Sequence, residues 1–181
     1  MREDTRTRIQ QIALRLFTEQ GYEATSLREI AEELGVTKAA LYYHFKTKDD
    51  IVASLVELRL AEVRELLDWA RGRPKTPEMR RELLDRYARN LKESRHPQVL
   101  GFLERNQTAL RDHPTVTRMR ETVLALTAEM NEPGATPTER ISRSLALFAL
   151  HAGKWMTPMD DLGEDEIDKA SMEVATRLLE P

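Results

Sequence analysis

The chain has 181 residues, 40% apolar and 33% charged, with a formal net charge of -3. There is enough apolar side chain for one or two cores, and the charge is too balanced for a polyelectrolyte or a disordered segment. Cysteine is absent, which excludes disulfides, thiolate nucleophiles and cysteine-ligated zinc and suits a reducing compartment, so the cytoplasm is the expected location. The opening MREDTRTRIQQ is charged from its second residue, and no apolar run approaches the roughly 18 residues that span a bilayer.

Helical periodicity runs from end to end, with no window of alternating β-branched residues, so the expected fold is all-α with about nine helices. The first helix, about 6–20, carries Ile9, Ile12, Ala13, Leu16 and Phe17 on one stripe and stops at Gly21. ATSLREIAEELG follows; Ser26 and Glu29 have the spacing of a capping box, and Leu27, Ile30, Ala31 and Leu34 form the apolar face. After Gly35 comes a short helix, Thr37–Phe45, with Thr37 as its N-cap. A long fourth helix is expected over Lys48–Ala70, with Ile51, Leu55, Leu58, Val63, Leu66 and Leu67 inward and its N-terminal amides free to hold a phosphate. RGRPKTP at 71–77 is a linker, and further breaks leave helices near 78–95, 97–111, 115–130, 138–156 and 165–179.

The third helix is chemically unusual. At about 100° per residue, Leu41 and Phe45 define a buried face, and Tyr43 and Ala39 fall opposite it with Tyr42 and Ala40 on the flanks. Two small residues and two flat amphipathic ones point away from the core together. Alanine permits close approach and meets a thymine methyl; tyrosine reaches a phosphate or lies against sugar and base. Two short helices across a tight turn at Gly35-Val36 have the helix-turn-helix arrangement, whose second helix enters the major groove of DNA. The A-form major groove is too narrow for this mode, which disfavours RNA. From Thr37 to Lys48 there are three lysines and no acid, although residues 1–50 together carry 8 basic and 9 acidic side chains. That balance predicts modest nonspecific affinity with strong salt dependence.

The stretch TSLREIAEELGVTKAALYYHFKTKDDIVASLV, residues 25–56, closely resembles the DNA-binding domain of the tetracycline-repressor (TetR) family, down to the L-Y-x-H-F-x-x-K run at Leu41–Lys48. The resemblance extends over about residues 6–56. It implies a helix-turn-helix domain at 1–47, braced by the first helix, and a helical ligand-binding and dimerisation domain at 48–181. By position it implies that Thr25 and Ser26 contact phosphate and that Arg28 reaches a base edge. Thr37, Lys38, Ala39, Ala40 and Tyr43 would enter the groove, with Tyr42, His44 and Lys48 on the DNA backbone. Two of these have a second reading: His44 lies between the buried and exposed faces and suits a structural hydrogen bond, and Arg28 is spaced to pair with Glu32.

A helix-turn-helix of about 50 residues leaves 125 for dimerisation, sensing, or both. The helix at 138–156 is apolar around its circumference from Leu145 to Met156, and the resemblance implies that the last two helices pack against their copies as a four-helix bundle, matching a palindromic operator in double-stranded DNA. Trp69, Tyr87, Phe102, Met119, Met130, Trp155 and Met156 are candidates to line an apolar effector pocket; ordinary core packing is the competing reading for each. In FLERNQTAL, 102–110, the polar run Glu104–Thr108 faces either a ligand or water. No H-x-x-x-H pair, phosphate-cradling glycine loop or nucleophile elbow occurs, so neither an enzyme nor a metal or cofactor site is expected. The expectation is a homodimeric repressor released from its operator by a small apolar effector. The alternative is a dimeric DNA-binding protein controlled by a protein partner. Operator, target genes, effector and sign of regulation are not written in the sequence.

Overall fold

Helix starts follow the caps. In the computed structural model, which describes residues 4–93, 98–152 and 162–180, Asp4 accepts the Arg6 amide ahead of α1 (Thr5–Glu19). Ser26 and Glu29 complete a reciprocal box on α2 (Leu27–Leu34), and Thr37 accepts the Ala40 amide on α3 (Lys38–His44). Thr47 accepts from Asp50 ahead of α4 (Lys48–Arg71), while the Asp50 carboxylate takes the Lys46 and Thr47 amides. Each such bond satisfies a backbone donor that the first helical turn leaves without a partner. α5 (Pro77–Glu93), α7 (Pro114–Ala128) and α8 (Pro137–Ala152) all open on proline, whose missing N–H is no loss at that position. α6 (Val99–Arg105) and α9 (Glu164–Arg177) complete the nine helices among the described residues.

α6 is shorter than the periodicity of 97–111 predicts. The side-chain amide of Asn106 donates to the Phe102 carbonyl at 2.9 Å, competing with the helix for its own acceptor, and turns replace the helix from Asn106 to Asp112. Leu58, expected inward, is exposed. The buried stripe of α4 runs through Val52, Leu55, Val56, Arg59, Val63 and Leu66, and Leu58 lies about 120° from its centre.

The helices group into two compact units, Met1–Leu60 with Arg95–Arg120, and Ala61–Ser94 with Glu121–Pro181. The segment 98–120 groups with the N-terminal helices in the first of these units. In the first unit α1 packs on α2 and α6, and α2 packs on α3. Its core is built from Ile9, Ala13, Phe17, Ile30, Leu41, Phe45, Ile51, Leu55 and Phe102, with Phe102 stacked on Phe17 at 5.5 Å between centroids.

In the second unit α5, α8 and α9 pack together around Leu83, Leu84, Tyr87, Ala146, Leu147, Leu150 and Ala175. Two buried guanidiniums, Arg80 and Arg143, share the Glu132 carboxylate; Arg80 also donates to the Met130 carbonyl at 2.7 Å, and Arg143 also pairs with Glu139 at 3.3 Å. This network fixes the α7–α8 turn, since an arginine buried there without a carboxylate would be strongly destabilising. Among the described residues no helix is long and apolar enough to cross a membrane.

Candidate nucleic-acid interface

The presentation of α3 depends on two anchors. Leu41 is 0% exposed and Phe45 2%, and burying side chains of this size contributes about 1.5–3 kcal/mol each. Arg6, from the first turn of α1, closes the other end: its guanidinium lies 4.3 Å above the Phe45 ring and donates to the His44 carbonyl at 3.3 Å. The turn before α3 requires glycine. Gly35 has φ of 72°, its amide donates to the Glu32 carbonyl and the Val36 amide to Ala31, the paired bonds of a Schellman cap.

With α3 held this way, Thr37, Lys38, Ala39 and Ala40 are exposed and Tyr43 is 82% exposed. Tyr42 is half-buried, with the Lys38 ammonium 5.4 Å from its ring centroid. His44 is also half-buried and meets the Tyr43 ring edge-on at 5.2 Å. One surface therefore carries a cation, two small side chains and two phenols, and no acid of α3 interrupts it, since α3 has none.

Other expected contacts are placed differently. Thr25 is 1% exposed and its hydroxyl donates to the Gly21 carbonyl at 2.9 Å, so its side chain holds the α1–α2 turn and is not available to a phosphate. Ser26 is exposed, but its hydroxyl and amide are engaged with Glu29. The Lys48 ammonium donates to the Tyr22 and Glu23 carbonyls at 2.6 and 3.2 Å and lies 4.5 Å over the Tyr22 ring; it braces the same turn. Just ahead of α4 the Lys46 and Thr47 amides donate to the Asp50 carboxylate. Arg28 is exposed and pairs with Glu32 at 2.7 Å, which raises its already high pKa.

The residues expected to line an effector pocket are distributed over both units. Phe102 and Met119 belong to the first unit, where Phe102 is a core residue against Phe17. Trp69, Tyr87 and Met130 belong to the second; Trp69 lies between the Arg73 and Arg86 guanidiniums, each 4.6 Å from its ring. Trp155 and Met156 lie outside the described residues, as does the expected α8 sequence beyond Ala152. In the run 104–108, Glu104, Arg105, Gln107 and Thr108 are exposed, and Asn106 turns inward to accept the Tyr22 amide at 3.1 Å. Sequence reasoning missed Arg6, Tyr22 and Asn106. Nothing local marks them, because their partners lie 26 to 84 residues away. Among the described residues no three His, Asp or Glu side chains are placed to hold a metal ion.

A capped short helix seated by two buried anchors, reached through a left-handed glycine turn from a second short helix, defines the helix-turn-helix class of DNA-binding domain. Comparison with known proteins agrees. The family described as "Bacterial regulatory proteins, tetR family" matches residues 9–55. The HTH-type transcriptional regulator AcrR of Shigella flexneri is 47% identical over 64 residues, 35% of this chain and 30% of that protein. The HTH-type transcriptional repressor KstR2 of Mycolicibacterium smegmatis is 35% identical over 68 residues, 38% of this chain and 30% of that one. Among solved structures, Mycobacterium smegmatis AmtR superposes with a TM-score of 0.65 at 29% identity, covering 97% of this chain and 87% of its own. Residues 9–55 therefore form a DNA-binding domain of the kind found in the TetR family of bacterial regulatory proteins. Its relatives are transcriptional regulators, not enzymes, and the matches to the curated relatives span about a third of their length.

Proposed function

We propose that the protein is a cytoplasmic, homodimeric transcriptional repressor that binds a palindromic operator through α3 and leaves it when a small apolar effector binds the second unit. The observation that carries this reading is the outward Lys38, Ala39, Ala40 and Tyr43 surface on a helix whose opposite face is locked by Leu41 and Phe45. The alanines let the helix backbone sit deep in a major groove, Tyr43 supplies a ring and a hydroxyl at the point of closest approach, and Lys38 adds a cation. Thr37, Tyr42 and His44 flank that surface and are proposed to position it on the DNA backbone, as is Ser26 through its exposed edge. Arg28 has to exchange Glu32 for a base or phosphate to take part.

Two reading heads need a fixed separation, because successive major grooves on one face of B-DNA recur every 34–36 Å or so. Exposed Ile141, Leu145 and Phe148 on α8 and Val174 on α9 are apolar side chains that a second copy would cover. An effector acts by preferring the arrangement in which the heads no longer match that repeat.

The test is selection of duplexes from a randomised library, followed by titration of the selected duplex. A palindromic sequence and a loss of roughly tenfold or more in affinity for Tyr43→Ala, set by one good groove contact of about 1–3 kcal/mol, are expected. Unchanged affinity for Tyr43→Ala would remove α3 as the reading element.

A further inference from the structure

We propose that Asn106 is a positioning residue for DNA binding, a latch by which the end of α6 holds the turn that leads into the helix-turn-helix. The inference rests on the reading that this domain binds DNA, and adds to it a residue outside the matched segment 9–55.

The turn from Gln20 to Ser26 is closed internally by Thr25 on the Gly21 carbonyl, and Tyr22 is where other elements fasten it. Four attachments meet there. The Tyr22 ring meets Phe17 of α1 edge-on at 5.3 Å. Its hydroxyl donates to the Asp49 carboxylate in the first turn of α4, and its carbonyl accepts from Lys48 of the same turn. Its amide donates to the Asn106 side-chain oxygen at 3.1 Å, across 84 residues of sequence. The first three come from α1 and α4; the bond to Asn106 ties the turn to the end of α6.

Asn106 is chemically suited to this task. Its Oδ1 accepts from Tyr22 while its Nδ2 donates to the Phe102 carbonyl, so the carboxamide is oriented by a residue that is itself 0% exposed and stacked on Phe17. Its own amide and carbonyl are in the turns that end α6. A second tie lies seven residues on, where His113 Nε2 is 3.3 Å from the Asp49 carbonyl. A carbonyl only accepts, so that nitrogen is the protonated one. Asn106 and His113 therefore hold the turn ahead of α2 and the start of α4, the two ends between which α2 and α3 are suspended.

Two variants test the latch. Asn106→Leu keeps the shape and loses both hydrogen-bonding groups; Asn106→Asp keeps the acceptor for Tyr22. Native-state hydrogen exchange reads the Tyr22 amide directly, and titration with the duplex selected by the wild-type protein reads DNA affinity. In Asn106→Leu the Tyr22 amide is expected to exchange about tenfold faster, with DNA affinity lowered about five- to tenfold and core amides of α4 unchanged, as for loss of one local hydrogen bond. Asn106→Asp keeps the acceptor for Tyr22 but sets a carboxylate oxygen against the Phe102 carbonyl, so it is expected to fall between wild type and Asn106→Leu in both readouts. If Asn106→Leu does not fold, an Asn106→Asp protein in which Tyr22 exchange and DNA affinity change together supports the latch, and one in which either changes without the other overturns it. Faster Tyr22 exchange with unchanged affinity overturns the positioning role alone. A wild-type protein that selects no duplex ends the DNA-binding reading and this proposal with it.

Discussion

Single side chains here are explained by what they give up as much as by what they touch. Thr25, Ser26 and Lys48 all carry groups that suit a phosphate, and all three engage them within the protein: Thr25 with Gly21, Ser26 with Glu29, Lys48 with the Tyr22 and Glu23 carbonyls. What remains outward on α3 is Lys38, the alanines and Tyr43. Gly35 is the residue on which their direction depends, since its φ of 72° lies in the left-handed region and a Cβ there would meet nothing within 4 Å. Gly35→Ala is thus a matter of backbone strain without a clash, expected to destabilise the first unit by about 1 kcal/mol, and Gly35→Asn by less because asparagine tolerates that region. Chemical denaturation of the two variants checks the order.

At the scale of elements, helix starts are the most local and the most legible feature of the chain. The pairs Ser26 with Glu29, Thr47 with Asp50 and Thr136 with Glu139 each close a cap within four residues, so their spacing alone announces α2, α4 and α8. Ser26→Ala should cost about 1 kcal/mol. Its carboxylate partner carries a pH signature: hydrogen bonds from the Ser26 hydroxyl and amide hold Glu29 below the usual carboxylate range, as the Thr136 hydroxyl and amide, and then Arg143, do for Glu139. For a depressed pKa the stabilisation is present above the unfolded value, near about 4.3, and is lost as pH falls through the lower folded value. Both caps should therefore stay intact through neutral pH and weaken only in acid. Helicity followed by circular dichroism should show that acid loss in the wild type and a smaller pH slope in Glu29→Gln. Where elements end was less legible. α6 stops at Arg105 because Asn106 turns its carboxamide onto the Phe102 carbonyl and the Tyr22 amide, and one of those partners is remote.

For the molecule as a whole, the proposed function depends on a second copy. Ile141, Leu145 and Phe148 stand at i, i+4 and i+7 on α8 and are 60%, 48% and 37% exposed, while Ala146, Leu147 and Leu150 on the other side are buried. A helix apolar on both sides fits the proposed pairing with a second copy. Leu145→Glu should shift the protein toward monomer in analytical ultracentrifugation and weaken binding to a palindromic duplex far more than to a single half-site, because the two heads then bind independently.

The sequence alone determined the all-α class, the helix-turn-helix, the linker at 71–77 and the outward direction of Tyr43, because each depends on periodicity or capping among residues within a turn or two of one another. Tertiary structure decided which polar groups were already taken and where the units divide. Thr25 is inward, Phe102 belongs with Phe17, and residues 98–120 group with the N-terminal helices. Those outcomes depend on contacts such as Arg6 with His44 and Asn106 with Tyr22. Such contacts form only once distant helices pack, and no pattern within a turn or two of either partner encodes them.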